Sequence, residues 1–526
     1  MKVLVSDSLS DVGIEILRES PDIEVDVHTG LTTEELKGII GQYDALVIRS
    51  ATRVTADIIE EAHNLKVIGR AGIGLDNVDI PAASKKGVVV MNTPEGNTIT
   101  AAEHSIAMIM SLSRNIPQAT ASLKAGKWEK KKFEGWEIFN KTLGIIGVGR
   151  IGRLVAERAK GLLMKVIAYD PYIKPETIEK LDIEPVSFDE LLQRSDYITI
   201  HTPITSETTN MINKKTISRM KQGVMLINCA RGDILNEDDL YDALKSGRLA
   251  GAALDVFSKE PPGKTKLMSL PNFICTPHLG ASTREAQDKV SKDIAGQVVD
   301  YLMYGTVKNA LNVPSISPEL INILRPYAIL AERMGSLQTQ LTDSAILEVH
   351  LNYSGMVANY DVSPLTTATL KGLLTPILKD EVNYVNASLI AAEREIRVVE
   401  SKTKTSNDFS SLIKLTVKTS EGDSIISGTI IGKKFPRIVR INDFHLEAIP
   451  EGHNLFINNV DKPGVIGKIA STLGKHYVNI SRMAVGEEKE KKQNVIFLAT
   501  NITANDDILE ILRGLEDVYS VRRIEL

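Results

Sequence analysis

One run of glycines restricts the folds open to this chain more than any other feature of its sequence. The letters G-V-G-R-I-G occupy residues 147–152, directly after the apolar run Thr142–Ile146 and at the start of a helical pattern. In such a strand–turn–helix unit Gly147 permits the tight turn, Gly149 lets a pyrophosphate approach the backbone, and Gly152 lets the helix pack closely on the strand. The amides at the start of the helix then bind the phosphates. The run therefore predicts a parallel α/β sheet with a dinucleotide site at its first crossover.

An acidic residue after the next strand indicates which dinucleotide binds. The apolar run Lys165–Tyr169 ends at Asp170, and an acid about 20 residues beyond the glycines accepts hydrogen bonds from the ribose hydroxyls. A carboxylate there would repel a 2′-phosphate, so the sequence favours NAD over NADP. The alternative is a glycine turn followed by a surface aspartate that binds nothing.

The size and composition of the chain exclude several classes of protein. Its 526 residues are too many for one hydrophobic core, so we expect about three or four domains. Hydrophobic residues make up 43% and charged residues 25%, which is typical of a soluble globular protein. The net charge of −5 argues against nucleic acid as a partner.

Cysteine content and hydropathy favour a cytoplasmic protein. Cys229 and Cys275 are the two cysteines, too few for a disulfide framework or a metal cluster, and they suit a reducing cytosol. The start of the chain reads as a strand and lacks the apolar core of a signal peptide. No apolar run approaches the roughly 20 residues of a membrane helix. We therefore expect no metal site, no membrane partner and a cytoplasmic location.

Alternating apolar runs and amphipathic stretches predict two α/β units in the first 310 residues. In the first unit we expect strands at 3–5, 45–48, 67–68 and 88–90, with helices over 12–18 and 33–40. A long helix over about 99–113 leads to the second unit. Its strands are expected at 142–146, 165–169, 197–200, 224–228, 251–254 and 273–276, and a helix follows over about 283–304.

The pattern of predicted strands and helices changes after about residue 316. From there to residue 450 we expect strands at 345–351, 412–417 and 424–431, one helix near 388–400, and no catalytic residues. From about His453 the pattern is strand, helix, strand, strand, helix, strand. That order predicts a ferredoxin-like βαββαβ unit.

Three residues downstream of the glycines suit hydride transfer on a 2-hydroxy acid. Arg231 lies in N-C-A-R-G-D after a buried strand, Glu260 in S-K-E-P-P and His278 in T-P-H-L-G-A. A guanidinium pairs bidentately with a carboxylate, an imidazole exchanges a hydroxyl proton near neutral pH, and a carboxylate bonded to the imidazole fixes its tautomer. Each residue alone could be a surface ion pair, a loop acid or a structural histidine. Together with the dinucleotide site they predict catalysis.

These motifs resemble the D-isomer-specific 2-hydroxyacid dehydrogenase family. The resemblance rests on G-V-G-R-I-G, N-C-A-R-G-D, A-L-D-V-F, E-P-P and T-P-H-L-G-A. It implies that Arg231, Glu260 and His278 are the catalytic residues. It also implies cofactor contacts from Gly147, Gly149, Arg150, Ile151, Gly152, Asp170, Thr202, Cys229, Asp255, His278, Gly280 and Ala281.

The same resemblance implies an α/β protein of four parts. We expect a Rossmann-type NAD-binding domain over 99–282, inserted in a flavodoxin-like substrate domain made of 1–98 and 283–312. An α+β intervening domain over 313–451 and a ferredoxin-like ACT domain over 452–526 then follow. The match is closer over 1–310 and 453–526 than between them, where the implied role is regulation or assembly.

Arginines at the ends of amino-terminal strands indicate the charge of the substrate. Arg49 and Arg53 lie in V-I-R-S-A-T-R-V-T, and Arg70 lies in V-I-G-R-A-G-I-G. Three cations suit a doubly charged phosphate. Alternatively, one or two of them pair with Asp76 or Asp79.

Both arginine runs resemble family members that act on 3-phosphoglycerate. In those members the positions of Arg49, Arg53, Arg70, Gly72 and Ile73 would surround the substrate. Lys130, in K-W-E-K-K-K, would reach the site of a neighbouring subunit by the same resemblance. Alternatively, Lys130 belongs to a solvated basic run.

The C-terminal unit resembles the ACT domain, a regulatory module that binds small molecules and usually pairs across subunits. The resemblance rests on F-I-N-N-V-D-K-P-G-V-I-G and Y-V-N-I. It implies that Asn459, Asp461 and Asn479 bind L-serine as an effector and that the chain forms a homodimer or homotetramer. Asp461 can pair with an ammonium, and Asn479 with a carboxylate or hydroxyl. Alternatively, Asp461 caps the next helix and Asn479 tightens a turn.

Taken together, the motifs predict hydride transfer on a 2-hydroxy acid, and the resemblances imply NAD-dependent oxidation of 3-phospho-D-glycerate to 3-phosphohydroxypyruvate, the first step of L-serine biosynthesis, under feedback control by serine. One alternative is a related dehydrogenase or 2-ketoacid reductase that acts on an unphosphorylated acid. Another is a nucleotide-sensing binding module like the corepressors that share this fold, which lack the regulatory C-terminal part.

Overall fold

The amino-terminal residues form a parallel sheet in the computed structural model, which describes residues 1–314, 318–406, 408–488 and 492–526. The elements are β1 (Lys2–Val5), α1 (Asp11–Glu19), β2 (Glu24–Val27), α2 (Thr33–Ile39), β3 (Ala45–Ile48), α3 (Ala56–Glu61), β4 (Val67–Arg70), α4 (Ile80–Lys86) and β5 (Val89–Met91). The strand order is β2-β1-β3-β4-β5, the order of flavodoxin. All four residues of β3 are buried because helices cover both faces of such a sheet.

A second, seven-stranded parallel sheet follows. Its elements are α5 (Thr98–Ser113), α6 (Ile116–Lys124), β6 (Thr142–Ile146), α7 (Arg150–Gly161), β7 (Lys165–Tyr169), α8 (Pro175–Glu179), β8 (Glu184–Pro185), α9 (Phe188–Arg194), β9 (Tyr197–Ile200), α10 (Lys214–Arg219), β10 (Val224–Asn228), α11 (Glu237–Lys245), β11 (Leu249–Leu254) and β12 (Phe273–Cys275). The order is β12-β11-β10-β9-β6-β7-β8. The order reverses at β6, between β9 and β7, and open α/β sheets bind ligands at such a switch point, beyond the carboxyl ends of the strands.

A long helix, α12 (Arg284–Tyr304), returns the chain to the first sheet. Its residues Ile294 and Val298 share a buried cluster with Val3 and Val5 of β1. The first α/β unit is therefore built from two separate segments, and the second unit is inserted between them. The predicted fold class, a Rossmann-type unit inserted in a flavodoxin-like one, is confirmed.

The next region packs three helices and a mostly antiparallel sheet around one core. Its elements are α13 (Pro318–Leu341), β13 (Ile346–Gly355), α14 (Ser363–Leu378), α15 (Ala387–Glu393), β14 (Arg397–Thr403), β15 (Ser411–Thr419), β16 (Gly422–Ile431), β17 (Phe435–Ile441) and β18 (Phe444–Ala448). The core contains Met334 and Leu337 of α13, Tyr353 of β13 and Leu373 of α14. Only β13 and β14 are parallel neighbours in this part of the sheet.

The helix predicted near 388–400 is wrong over its second half. Helix α15 ends at Glu393, and β14 begins at Arg397. Between them Glu395 adopts a φ of 58°, which ends the helix. The β-branched Val398 and Val399 then pair with β13, as their preference for strands favours.

The C-terminal part has the predicted βαββαβ order, which confirms the ferredoxin-like fold. Its elements are β19 (His453–Val460), α16 (Val465–Lys475), β20 (Ile480–Glu488), β21 (Gln493–Thr500), α17 (Asp506–Arg513) and β22 (Val518–Glu525). The strand order is β20-β21-β19-β22. Strand β18 pairs with β20 and so joins this sheet to the preceding one, giving ten strands in all.

Two classes of feature are absent from the part of the chain that the structure describes. None of its helices is long and apolar enough to cross a membrane. Nor do its His, Cys, Asp and Glu side chains form a group of three or more that could hold a metal ion.

Candidate active site

The glycine run forms a tight turn between β6 and α7. Gly147 has a φ of 93°, and a Cβ there would lie 2.7 Å from the carbonyl oxygen of His201. A Cβ at Gly152 would collide with the carbonyl oxygen of Gly147, so the helix approaches the strand as closely as glycine allows. A Cβ at Gly149 would meet nothing within 4 Å. The turn therefore packs tightly at Gly147 and Gly152, and it has free space beside Gly149.

The open side of this turn offers unused hydrogen-bonding groups. Gly149 is the N-cap of α7 and has no side chain to bond the first amides of the helix, which leaves those donors for an anion. Thr202 Oγ1 is buried and has no partner among the residues that the structure describes. Both features fit the pyrophosphate of a dinucleotide.

Asp170 stabilises the turn from the end of β7. Its Oδ2 accepts a hydrogen bond from the Val148 amide at 2.9 Å, and its Oδ1 accepts from the Tyr172 amide at 3.0 Å. Each carboxylate oxygen keeps a second lone pair for a ribose hydroxyl. The contact with ribose stays a prediction, but the position of the acid suits NAD.

The other predicted cofactor residues lie in different surroundings. Arg150 is exposed, and its guanidinium donates to the Pro94 carbonyl and pairs with Glu95 at 3.5 Å, so it bridges the two α/β units. Ile151 packs against the core of the second unit. Burial raises the pKa of the Cys229 thiol to about 12, so this side chain is neutral.

His278 and Glu260 form a hydrogen bond of the kind that general-base catalysis uses. Glu260 Oε2 lies 2.7 Å from His278 Nδ1, and Glu260 Oε1 accepts from the Phe257 amide at 3.0 Å. Because an ionised carboxylate only accepts, the proton of the neutral imidazole is on Nδ1, and Nε2 has a free lone pair. The pair therefore has an unprotonated ring nitrogen that could accept a proton.

Asp255 fixes the backbone around His278. Its carbonyl oxygen accepts from the His278 amide at 2.9 Å, while its carboxylate accepts from the amides of Leu279 at 2.7 Å and Gly280 at 2.8 Å. Burial alone would raise the pKa of Asp255, but hydrogen bonds from His104, Thr276 and Leu279 outweigh burial and lower it. The carboxylate is completely buried and ionised. A direct cofactor contact of Asp255 stays a prediction, as does that of Ala281.

Arg231 reaches from the end of β10 to the loop that follows β4. Its Nε donates to Asp76 Oδ2 at 2.8 Å, and its Nη1 donates to the Ala230 carbonyl at 2.8 Å. A Cβ at Gly74 would collide with Arg231 Nη2, so that glycine makes room for the guanidinium. The sequence offered Asp76 as a partner for other arginines. It instead orients Arg231 across the crevice between the two α/β units.

Two arginines of the first unit stand near Arg231. Arg70 Nε donates to Asn77 Oδ1 at 3.2 Å, and Arg49 Nη1 donates to the Ser8 carbonyl at 3.2 Å. Burial, followed by the cation of Arg231, lowers the pKa of Arg70 to about 10; Arg49 acts in the same direction, and Asp76 and Asp7 oppose the shift. Guanidinium groups stay protonated at neutral pH, so this part of the molecule holds three cations beside the acids Asp7 and Asp76.

The predicted substrate arginines have no acid within ion-pair distance in the described part of the chain. Across the described ranges, neither Arg49, Arg53 nor Arg70 forms an ion pair with an acid, and Asp79 instead caps α4. A Cβ at Gly72 would collide with Arg70 Nη1. The Ile73 carbonyl accepts from Asn92 at 2.6 Å. Lys130 is exposed on the short turn Lys130–Phe133, and no described hydrogen bond or ion pair links it to the arginines.

Of the predicted effector residues, Asn459 and Asp461 lie at the end of β19, whereas Asn479 lies beside Asn501, at the opposite end of the sheet. Asn459 is 1% exposed, and its Oδ1 has no partner among the described residues. Asp461 Oδ1 accepts from Asn494 Nδ2 at 2.9 Å and does not cap α16, whose N-cap is Gly464. Asn479 is exposed just before β20. Asn494 Oδ1 is also buried and has no partner among the described residues, and no motif of the sequence indicated this residue.

Three family models match successive parts of the chain. The NAD-binding domain of D-isomer-specific 2-hydroxyacid dehydrogenases matches residues 106–280. The intervening domain of D-3-phosphoglycerate dehydrogenase matches residues 323–442, and the ACT domain matches residues 453–517.

Curated relatives match the chain from end to end. The D-3-phosphoglycerate dehydrogenase of Synechocystis is 44% identical over 99% of this chain and 94% of that protein. The enzyme of the same name from Methanocaldococcus jannaschii is 43% identical over the whole of both chains, and that of Bacillus subtilis is 40% identical.

Solved structures resemble the two α/β units. The apo D-lactate dehydrogenase of Escherichia coli is 28% identical, with a TM-score of 0.53, and covers 59% of this chain and 100% of its own. The D-lactate dehydrogenase of Aquifex aeolicus, solved with NAD and lactic acid, is 29% identical, with a TM-score of 0.53 over 60% of this chain and 100% of its own.

Proposed function

The chain belongs to the D-3-phosphoglycerate dehydrogenase family, and we propose that Arg231, Glu260 and His278 carry out the reaction of that family in it. The reaction is NAD-dependent oxidation of 3-phospho-D-glycerate to 3-phosphohydroxypyruvate, at the entry to L-serine biosynthesis. NAD, when bound, accepts the hydride that leaves C2 of the substrate. The remaining chemistry, which is proton transfer and charge stabilisation, falls to protein side chains.

His278 is the base for the C2 hydroxyl. Its Nε2 takes the hydroxyl proton as the hydride departs, which converts the imidazole to imidazolium. Glu260, 2.7 Å from Nδ1, stabilises that charge and keeps the ring in the tautomer that presents a lone pair to the substrate. In the reverse direction the same imidazolium returns the proton to the carbonyl oxygen.

Arg231 binds the C1 carboxylate. Asp76 accepts from its Nε, and the Ala230 carbonyl accepts from its Nη1. Both hydrogens of Nη2 and the second hydrogen of Nη1 are therefore available for the substrate. A guanidinium fixed in this way sets the orientation of C2 relative to His278.

Arg70, Arg49 and Arg53 bind the 3-phosphate. What supports this assignment is that half-buried Arg70 lies within electrostatic reach of Arg231 and Arg49, with Asp76 and Asp7 as the opposing acids, so an anionic ligand would add a counter-ion. A dianionic phosphate supplies that counter-ion, whereas an uncharged hydroxymethyl group does not.

The single observation that supports the catalytic assignment most directly is the hydrogen bond between His278 and Glu260. We expect His278→Ala to lower kcat by about 10²- to 10⁴-fold, since general-base catalysis contributes that much, while the Kd for NAD stays within about twofold. His63, an exposed histidine 3.9 Å from Glu61, offers a matched control, and His63→Ala should leave both values unchanged. Equal loss of turnover and NAD affinity in His278→Ala would refute the role.

We propose that the ACT domain binds L-serine through Asp461, Asn459 and Asn494, and that Asn479, which lies at the opposite end of the sheet in the same chain, joins such a site only where two ACT domains pair. The unpaired, buried amide oxygens of Asn459 and Asn494 support a ligand that donates hydrogen bonds, such as the ammonium of an amino acid. Initial rates with and without serine test this assignment. Asp461→Ala should abolish inhibition with kcat unchanged, while Asp507→Ala, at an exposed acid of α17, should remain inhibited. Serine-insensitive wild-type activity would remove the regulatory claim alone.

We also propose that the chain works as a cytoplasmic homo-oligomer, a dimer or tetramer. Trp128, Phe139 and Trp136 are 83%, 62% and 58% exposed around the turn that carries Lys130, a surface typical of a subunit contact. Both cysteines are unpaired, which fits a reducing compartment. Sedimentation equilibrium gives the subunit number, and a monomer at micromolar concentration would contradict the assembly and the role of Lys130 across subunits.

A further inference from the structure

A histidine outside the catalytic set lies behind the loop that carries His278. His104 is on α5, the helix that enters the NAD-binding unit, and its side chain is 16% exposed. Its Nε2 lies 3.1 Å from Thr276 Oγ1 and 3.3 Å from Asp255 Oδ1. No motif of the sequence indicated this residue, because 172 positions separate it from Thr276.

We propose that His104 is a positioning residue for the catalytic His278, acting through Thr276 and Asp255. The inference rests on the proposed function, because it concerns how the base of that reaction is held. His104 touches neither the substrate arginines nor the glycine turn in the described hydrogen bonds and ion pairs.

The hydrogen-bond pattern fixes which atom of His104 bears a proton. The Thr276 hydroxyl donates its only proton to Asp255 Oδ1 at 2.5 Å, so its oxygen can only accept from His104. Asp255 is an ionised carboxylate and likewise only accepts. Nε2 of His104 therefore donates to both, and no other tautomer satisfies the three groups.

Asp255 transmits this constraint to His278. Its carboxylate holds the amides of Leu279 and Gly280, and its carbonyl oxygen holds the amide of His278 itself. These bonds keep His278 at a φ of 55°, a left-handed conformation that is unfavourable for a residue with a side chain. An ionised carboxylate that is 0% exposed requires all its donors, and His104 is one of them.

Removing the His104 donor should therefore loosen the base, while the main contacts for the two ligands, at the arginine cluster and the glycine turn, stay in place. Asp255 Oδ1 would turn toward its remaining donors, and the loop from Thr276 to Gly280 would follow it. A displacement of the catalytic imidazole by a fraction of an ångström lowers the rate of proton transfer, because the reacting atoms must meet within hydrogen-bond distance. The arginine cluster and the glycine turn keep their own contacts.

The test compares His104→Leu, which removes the donor, with His104→Gln, which retains a side-chain N–H. In steady-state rates with 3-phosphoglycerate and NAD, we expect His104→Leu to lower kcat about tenfold or more, with the substrate KM and the NAD Kd within about twofold of wild type. His104→Gln should recover kcat to within about threefold. Glu103→Gln, at an exposed neighbour on α5 that pairs with Arg158, is the matched control and should behave as wild type.

Several outcomes would overturn the inference. Wild-type kcat in His104→Leu would do so, as would equal losses in the Leu and Gln variants, or a fall of kcat matched by the same fall in NAD affinity. If His104→Leu does not fold, Thr276→Val removes the same link from the other side and should show the same selective loss of kcat. Wild-type kcat in Thr276→Val would then reject the role. A wild-type enzyme inactive on 3-phosphoglycerate would instead reject the proposed function.

Discussion

Replacing Glu260 by glutamine tests how the catalytic imidazole is held. Each oxygen of Glu260 accepts one hydrogen bond, Oε1 from the Phe257 amide and Oε2 from His278 Nδ1. A glutamine has the same shape but offers only one acceptor, so one of the two donors must face an N–H group. If the amide nitrogen faces His278, the imidazole keeps its proton on Nε2 and cannot act as a base toward the substrate.

The expected loss follows from the strength of the interaction that is removed. A hydrogen bond to a charged group contributes about 1.5–3 kcal/mol, and an unpaired buried donor costs about 1–3 kcal/mol. Solvent screens the pair, since the side chains of His278 and Glu260 are 46% and 38% exposed. We therefore expect about 2 kcal/mol, which is about a 30-fold fall in kcat when each 1.4 kcal/mol is tenfold.

Initial rates of NADH formation at saturating substrate measure this effect, with NAD affinity titrated separately. Glu237→Gln is the matched control, because Glu237 accepts from the Ser258 amide of the same loop at 2.9 Å but is not bonded to His278. The reasoning is refuted if Glu260→Gln keeps kcat within about threefold of wild type, or if Glu237→Gln loses as much.

Two further substitutions test other parts of the account. Arg70→Gln should raise the KM for 3-phosphoglycerate at least about tenfold, because it removes a charge-assisted contact with the phosphate. Arg18→Gln, on the last turn of α1, is the control and should leave the KM unchanged. An unchanged KM in Arg70→Gln would contradict the phosphate site. Gly152→Ala should destabilise the NAD-binding unit by about 1–3 kcal/mol and lower its thermal midpoint, because the new Cβ collides with the Gly147 carbonyl. Gly161→Ala in the same helix is the control: its Cβ meets nothing within 4 Å, so the change should be neutral or slightly stabilising. Equal thermal midpoints for Gly152→Ala and Gly161→Ala would contradict the packing argument.

The sequence was most informative where local pattern and chemistry coincide. Parallel strands such as β3 and β10 are continuous apolar runs, and the glycine turn has a fixed spacing, so both α/β units could be predicted. Helix α14 was not anticipated because buried residues lie on most of its circumference, which removes the amphipathic period that would indicate a helix. The error after Glu393 arose at a left-handed residue, Glu395, whose conformation no local pattern announces.

Within the site, the sequence supplied the groups but not their partners. Arg231 and His278 were predicted from motifs, whereas Asp76, which orients Arg231, is 155 positions away from it. His104 and Asn494 were missed for the same reason, since each bonds a residue that only the fold brings near. Contacts of this kind depend on how the units pack, and no spacing along the chain reports that packing.

The central claim is that this chain oxidises a phosphorylated 2-hydroxy acid. Its most direct test compares kcat/KM for 3-phospho-D-glycerate with that for D-glycerate, at the same pH and NAD concentration. Charge-assisted contacts from two or more arginines to the phosphate predict a ratio of at least about 100 in favour of 3-phosphoglycerate. Equal values for the two acids would contradict the account, because the arginines at 49, 53 and 70 would then have no role in choosing the substrate.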